Sequence, residues 1–242
     1  MSHHSFPPSP SSTATPFSVE ELVERAQNLA RGRTRTLLGI TGTPGAGKST
    51  LCAALRSVLG QSAVLVGMDG FHLANSELER LGRRERKGAP DTFDVDGYVA
   101  LLKRLRNRHE NVIYAPEFDR AHEESIGSAI PVFPETPLVI TEGNYLLLDD
   151  GGWGEVSACL HEVWYLDVEP QLRVQRLVAR RQSFGEPAGR ALSWVRGVDE
   201  TNAGVVSPSR HRADLHIRLT TRLEPPPDPT QHPRTDTKEY RP

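Results

Sequence analysis

The sequence predicts a three-layer α/β/α domain on a five-stranded parallel sheet. Three observations predict it. Short apolar runs (Arg35 to Thr41, Ala63 to Met68, Leu138 to Thr141, Glu162 to Leu166 and Ala213 to Leu219) alternate with segments of helical period. A glycine-rich loop joins the first run to the helix that follows it. Acid-bearing motifs stand at the C-terminal ends of the second and third runs, the edge at which such sheets bind ligands. Strands separated by helices run parallel through right-handed crossovers, which buries both faces and accounts for the continuously apolar runs.

In chain order, residues 1–17 are expected to form a disordered tail of Ser, Pro, Thr and His, in which His3 and His4 are incidental. The domain is expected over residues 18–221. Ser18 with Glu20 and Glu21 marks a helix start, and Leu22, Ala26 and Leu29 give that helix an apolar face. Lys48 to Leu59 is the helix after the glycine-rich loop, closed by Gly60. The second strand delivers Asp69-Gly70-Phe71-His72, and a short helix from Asn75 to Leu81 precedes a basic loop, Gly82 to Pro90. Asp96 is the expected N-cap of a helix running to about Asn107, with Tyr98, Leu101, Leu102 and Leu105 buried. Val112 to Arg120 and Ile130 to Phe133 predict a two-stranded flap. The third strand ends in Glu142-Gly143-Asn144-Tyr145 and the fourth in Asp167. Pro170 opens a helix to about Ser183, and a second helix follows from Ala188 to Asp199 after a break at Gly185, Pro187 and Gly189. Residues 222–242 are Pro-rich with balanced charges and are expected to form a second disordered tail.

Charged residues make up 25% of the 242-residue chain and the formal net charge is −2, so no global basic field points to nucleic acid. No apolar run is long enough to span a bilayer, and the N-terminus lacks the apolar core of a signal peptide. Cys52 and Cys159 have no metal-ligand spacing. The expectation is a cytoplasmic protein without nucleic-acid or membrane partners; homodimerisation is left open.

Gly42-Thr43-Pro44-Gly45-Ala46-Gly47-Lys48-Ser49-Thr50 matches G-x-x-x-x-G-K-[ST], the phosphate-binding P-loop. The glycines let successive N–H groups turn toward one anion, and the helix N-terminus adds partial positive charge. Lys48 is placed to reach the β- and γ-phosphates of ATP, and the Ser49 hydroxyl to ligate Mg²⁺. A chance match is expected in roughly 1% of chains of this length. The strand before the loop and the helix after it reduce that further.

Asp69-Gly70-Phe71-His72, then Lys87-Gly88-Ala89-Pro90-Asp91-Thr92-Phe93-Asp94, then Glu142-Gly143-Asn144-Tyr145 follow the P-loop in that order. The combination resembles the uridine kinase, phosphoribulokinase and bacterial pantothenate kinase superfamily of P-loop kinases. Within it, the chain is most similar to bacterial nucleoside/nucleotide kinase family proteins, some described as sugar or fructose-transport-system kinases. The resemblance covers about Thr36 to Leu219. It implies a P-loop NTPase fold with sheet order 2-3-1-4-5 and ATP-dependent phosphorylation of a small-molecule hydroxyl.

The resemblance makes Asp69 the base that accepts the hydroxyl proton, in agreement with its strand-end position; the alternative is a turn or capping Asp. His72 either bonds substrate or packs. The acid at Glu142 helps hold Mg²⁺ in relatives, and a carboxylate facing phosphates needs a cation in any case. Asp91, Phe118, Asp119 and Arg120 lie where relatives contact the acceptor, and Tyr114, Asn144 and Tyr145 are placed for the same pocket. Uridine kinases have Tyr-Asp with a His several residues on; this chain has Phe118-Asp119, His122 earlier and Glu123. The longer tyrosine-rich segment of pantothenate kinases is missing. Arg173, Arg176 and Arg180 share one helix face, with Arg181 beside them. They form either a solvated face or a helical lid in which Arg176 and Arg180 act on the transferring group. Asn202-Ala203 and Arg212-Ala213-Asp214 lie where relatives hold adenine.

The expected acceptor is a small polar hydroxyl compound, a nucleoside, a sugar or a pantothenate-like molecule. Asp69, Asp91 and Asp119 suit hydroxyl donors, and the insertion from Val112 to Phe133 walls off a pocket. The alternative function is a regulatory P-loop ATPase without such an acceptor. A GTP switch is disfavoured, because no Asn-Lys-x-Asp motif occurs.

Overall fold

Residues 14–32, 34–107 and 109–220 are described by the computed structural model. The expected tails, apart from residues 14–17, and with them His3 and His4, lie outside the described residues. The first elements are β1 (Thr15–Phe17) and α1 (Val19–Ala30). Ser18 starts α1 through a reciprocal pair of bonds: its hydroxyl accepts from Glu21 N at 3.2 Å, and Glu21 Oε2 accepts from Ser18 N at 2.7 Å. Next come β2 (Thr36–Thr41), α2 (Lys48–Leu59), β3 (Ala63–Leu65), α3 (Asn75–Arg80) and α4 (Val95–Asn107). The hairpin β4 (Ile113–Asp119) and β5 (Glu124–Val132) precedes β6 (Leu138–Glu142), α5 (Gly154–Cys159) and β7 (Glu162–Leu166). The chain ends in α6 (Pro170–Ser183), α7 (Ala188–Trp194), α8 (Glu200–Val206) and β8 (Leu215–Leu219).

The sheet has order β1-β8-β7-β2-β6-β3, and every pairing in it is parallel. The five members other than β1 reproduce the expected 2-3-1-4-5 order. The sixth strand is a correction: Thr15–Phe17, expected to be part of the disordered tail, pairs with Ile217 to Leu219 at the edge. Three residues are too few to show a strand period, and Pro16 is tolerated because an edge strand has one unpaired side.

The strands sort their side chains by alternation. Leu37, Val139, Val163 and Tyr165 face one core with Tyr98, Leu102 and Trp153. Leu38, Ile40, Leu138, Ile140, Trp164 and Leu166 face the other, with Leu22, Leu51 and Leu55 of α1 and α2. Both faces are therefore covered by helices, and the functional groups are left to the C-terminal edge.

Four local expectations change. Asp94, not Asp96, caps α4, accepting from Gly97 N at 2.9 Å and through its carbonyl from Tyr98 N at 3.1 Å. The second strand stops at Leu65, and a tight turn over Met68–Phe71 carries Asp69. The helix expected to end at Asp199 instead passes through a wide π-type turn, Val195–Asp199, into α8. The flap is an antiparallel hairpin, longer in its second arm than the sequence suggested. Buried Arg35 ties its exit to the sheet, donating to the carbonyls of Leu105 at 3.1 Å, Thr136 at 3.0 Å and Phe133.

Candidate active site

Between β2 and α2 the chain must turn sharply without side chains in the way. A Cβ on Gly42 would stand 2.5 Å from the Leu166 carbonyl oxygen, and one on Gly45 would stand 2.8 Å from Leu177 Cγ; both have positive φ, +148° and +80°. Lys48 is buried at the start of α2. Its Nζ donates to the carbonyls of Gly42 at 3.0 Å and Thr43 at 3.2 Å, and to Asn144 Oδ1 at 2.6 Å. Burial lowers its pKa, while Glu142 and Asp69 oppose that shift.

The parallel register sets Glu142 opposite Ile40, so β6 brings its terminal acid beside the loop. Ser49 Oγ donates to Glu142 Oε1 at 3.2 Å. The Glu142 pKa is raised, first by enclosure and then by Asp69, against the pull of Lys48 and Arg120. Asp69 stands in the turn after β3, and Arg120 Nη2 of the hairpin lies 3.5 Å from its Oδ2. Its carbonyl oxygen is 2.8 Å from His72 Nδ1. The imidazole sits between Phe93 and Phe118, with ring centroids 4.1 and 4.8 Å away, and burial lowers its pKa.

These groups share a cleft of about 590 Å³ lined by Lys48, Ser49, Asp69, Glu142 and Asn144 along the sheet edge. Phe118, Arg120, Lys87 and Arg84 form another part of its lining, and Arg180, Trp194 and Asp199 a third. Arg180 is open to the cleft. Enclosure and then Arg120 lower its pKa, and Asp199 and Asp69 oppose that. Arg176 lies against the P-loop backbone, donating to the Ala46 carbonyl at 3.3 Å, and is not among the cleft-lining residues. Arg173 is neither solvated nor a lid residue: it is buried, 2.5 Å from Glu200, with Nη1 3.5 Å from the Pro44 carbonyl. Arg181 stacks on Trp194 at 4.5 Å and pairs with Glu186 at 2.5 Å.

Several expected pocket residues are occupied elsewhere. Asp91 is held outside the cleft by Arg86, with Nη2 2.6 Å from Oδ2, and by Arg83 at 3.5 Å. Asp119 shapes its own turn, accepting from Ala121 N at 2.7 Å and His122 N at 3.1 Å. Tyr114 points to solvent. Buried Tyr145 donates to the Gly88 carbonyl at 2.6 Å, which fixes the basic loop. Arg212 and Asp214 make structural bonds, to Leu147 O and from Val163 N respectively, each at 2.7 Å. Asn202 does reach the cleft, 3.4 Å from the Gly88 carbonyl.

Lys87, Arg84, Trp194 and Asp199 are lining residues that sequence reasoning did not single out as site residues. The basic character of Gly82 to Pro90 was visible in the sequence; the direction of each side chain was not. Lys87 Nζ lies 5.1 Å above the Phe118 ring and donates to Asn75 Oδ1 at 2.7 Å and the Glu123 carbonyl at 2.5 Å.

The group suits a nucleotide phosphate with a hard cation. A buried ammonium and turned-out N–H groups meet the anion, and the oxygen-only set of Ser49 and Glu142 matches Mg²⁺. No protein-family model matches the chain. A Schizosaccharomyces pombe protein named "Putative uridine kinase" is 36% identical over 177 residues, 69% of this chain and 75% of that protein. A pantothenate kinase of Leifsonia xyli subsp. xyli is 32% identical over 136 residues, 54% of this chain and 40% of that protein. A crystal structure from Silicibacter sp. TM1040, described as a "putative fructose transport system kinase", superposes with a TM-score of 0.73. It is 36% identical, covering 84% of this chain and 98% of that one.

Proposed function

Because the chain belongs to the uridine kinase, phosphoribulokinase and pantothenate kinase superfamily of P-loop kinases, we propose that it transfers the γ-phosphate of ATP to a hydroxyl of a small molecule. One observation carries the reading: Lys48, Ser49, Glu142 and Asp69 line a single cleft, so a phosphate cradle, a cation site and a second carboxylate face one space.

Bound Mg·ATP would supply the transferable phosphoryl group and the charge that offsets the two acids. Lys48 and the loop N–H groups would hold the phosphates. Ser49 and Glu142 would hold Mg²⁺. Asp69 accepts the proton of the acceptor hydroxyl, a step worth about 10²–10⁴-fold in rate. Arg180, beside Asp69 in the cleft, offsets charge on the transferring group. His72 has its pKa lowered by burial, so it meets the acceptor as a neutral ring packed against Phe118. Arg120 and Asn144 orient Asp69 and Lys48 respectively. Arg176 supports the loop from behind, and Asp91 and Asp119 are not acceptor contacts.

The test is ADP release from purified protein with ATP and Mg²⁺ against panels of nucleosides, sugars and hydroxy acids. Stimulation by at least one small molecule is expected. A slow basal hydrolysis that no small molecule stimulates would favour a regulatory ATPase instead.

A further inference from the structure

Three arginines and a lysine lie within the basic loop between α3 and α4, and the structure divides them. Arg83 and Arg86 are both committed to Asp91 on the outer side. Arg84 turns the other way. It is half-buried in the cleft lining, and among the described residues its guanidinium has no hydrogen bond, ion pair or ring contact. Lys87, on the same wall, donates hydrogen bonds to two neutral oxygens, Asn75 Oδ1 and the Glu123 carbonyl, and forms no contact ion pair among the described residues. The nearby Glu124 carboxylate is engaged by Asn75 N at 3.0 and 3.2 Å. Burial lowers the Lys87 pKa most, Glu124 and Glu123 oppose this, and Arg84 adds to the lowering.

A neutral polyol or nucleoside is best bound by a mixture of donors and acceptors. This wall offers chiefly donors. The two carboxylates that would have met neutral hydroxyls, Asp91 and Asp119, are consumed by Arg86 and by the hairpin turn. Of the acids left in the cleft lining, Asp69 is required for the proton and Glu142 for the cation, Glu186 is paired with Arg181, Asp199 lies on the part with Arg180 and Trp194, and Glu123 is exposed. Two adjacent like charges, one without a partner, are costly until an anion joins them, and charge-assisted bonds to such an anion are the strong kind.

We propose that the acceptor is itself an anion, a hydroxy-carboxylate or a sugar phosphate, whose charged group is bound by Arg84 and Lys87 while its hydroxyl faces Asp69. This deepens the kinase reading and rests on it. The ring of Phe118 beneath Lys87 makes a flat wall for the carbon skeleton between the two ends. The same arrangement discriminates against uncharged analogues, because a neutral group in place of the anion leaves the Arg84 guanidinium without a charged partner.

The experiment pairs each anion with its neutral parent: glycerate with glycerol, gluconate with glucose, ribose 5-phosphate with ribose, and uridine alone. ADP release is measured with Mg·ATP for the wild type, Arg84→Gln, Arg84→Lys and Lys87→Gln. Only anionic members should stimulate, and the carboxylate and phosphate arms identify which group is taken. Arg84→Gln and Lys87→Gln should each raise the acceptor KM at least ~10-fold with the ATP KM unchanged, and Arg84→Lys should recover part of the loss. The unchanged ATP KM excludes misfolding. Stimulation by uridine or a neutral parent equal to that by the anion, or an unaltered acceptor KM in Arg84→Gln, overturns the inference. If no anion stimulates while calorimetry still finds ATP binding that Lys48→Ala removes, the anionic acceptor is overturned and the nucleotide site stands. If ATP does not bind, the kinase reading itself fails.

Discussion

Ser49 Oγ donates to Glu142 Oε1 across 3.2 Å, tying the first turn of α2 to the tip of β6. The bond sets the hydroxyl and the carboxylate at hydrogen-bonding distance, as the proposed cation site requires. It also keeps an acid where it is poorly solvated, which has a consequence for stability.

The Glu142 pKa is raised by enclosure and by Asp69, so its protonated form is favoured more in the folded, ligand-free protein than in the unfolded chain. For an acid with a raised folded pKa, the stabilising contribution is present below the unfolded pKa and is lost as pH rises through the folded one. Glu142→Gln should therefore become more stable relative to wild type as pH rises from about 4 to about 8. The same variant should lose Mg²⁺-dependent turnover. Thermal melts across that range check the first part, and a pH-independent difference would contradict it.

Lys48→Ala should leave the far-ultraviolet circular dichroism unchanged and weaken ATP binding by at least ~10²-fold. The estimate follows from losing charge-assisted hydrogen bonds worth about 1.5–3 kcal/mol each. Calorimetric titration with ATP reads it directly.

Asp91→Asn and Asp119→Asn should leave the acceptor KM within about twofold of wild type. Asp91 is engaged in exposed ion pairs with Arg86 and Arg83, worth no more than about 1 kcal/mol, and Asp119 closes a turn. A tenfold rise in acceptor KM for either would return it to the pocket.

Arg173 and Arg180 lie on one helix and should separate cleanly. Arg173 is buried between Glu200 and the Pro44 carbonyl, so Arg173→Met should cost about 1–3 kcal/mol, lowering Tm by about 2–4 °C per kcal/mol. Arg180 is open to the cleft, so Arg180→Ala should reduce kcat by at least ~10²-fold with little change in Tm. Melts and steady-state kinetics on both variants decide it.

The sheet and the phosphate loop were legible because they rest on local signals. The apolar runs alternate by face as the register requires, and at Gly42 and Gly45 of the loop a Cβ would collide with neighbouring atoms. Asp69 and Glu142 were legible because strand ends in a parallel sheet converge on one edge. What the sequence hid depends on side-chain direction. Asp91 and Arg84 lie seven positions apart on one loop, yet the acid faces outward to Arg86 and the arginine faces the cleft. Arg173, Arg176 and Arg180 share a helical stripe, but that stripe runs from the P-loop's underside to the cleft, so the three residues meet different surroundings. Thr15–Phe17 was hidden because its strand exists only through pairing with β8, at the far end of the chain.

The central claim is that Asp69 serves the acceptor hydroxyl and not the nucleotide. Its turn position, 3.5 Å from Arg120 and beside the Ser49–Glu142 pair, supports that division of labour. The direct measurement is kcat for Asp69→Asn with a saturating acceptor, alongside calorimetric affinity for Mg·ATP. The account predicts a fall in kcat of at least ~10²-fold with ATP affinity within a few-fold of wild type. Equal kcat in the two proteins, or loss of ATP binding in the variant, would contradict it.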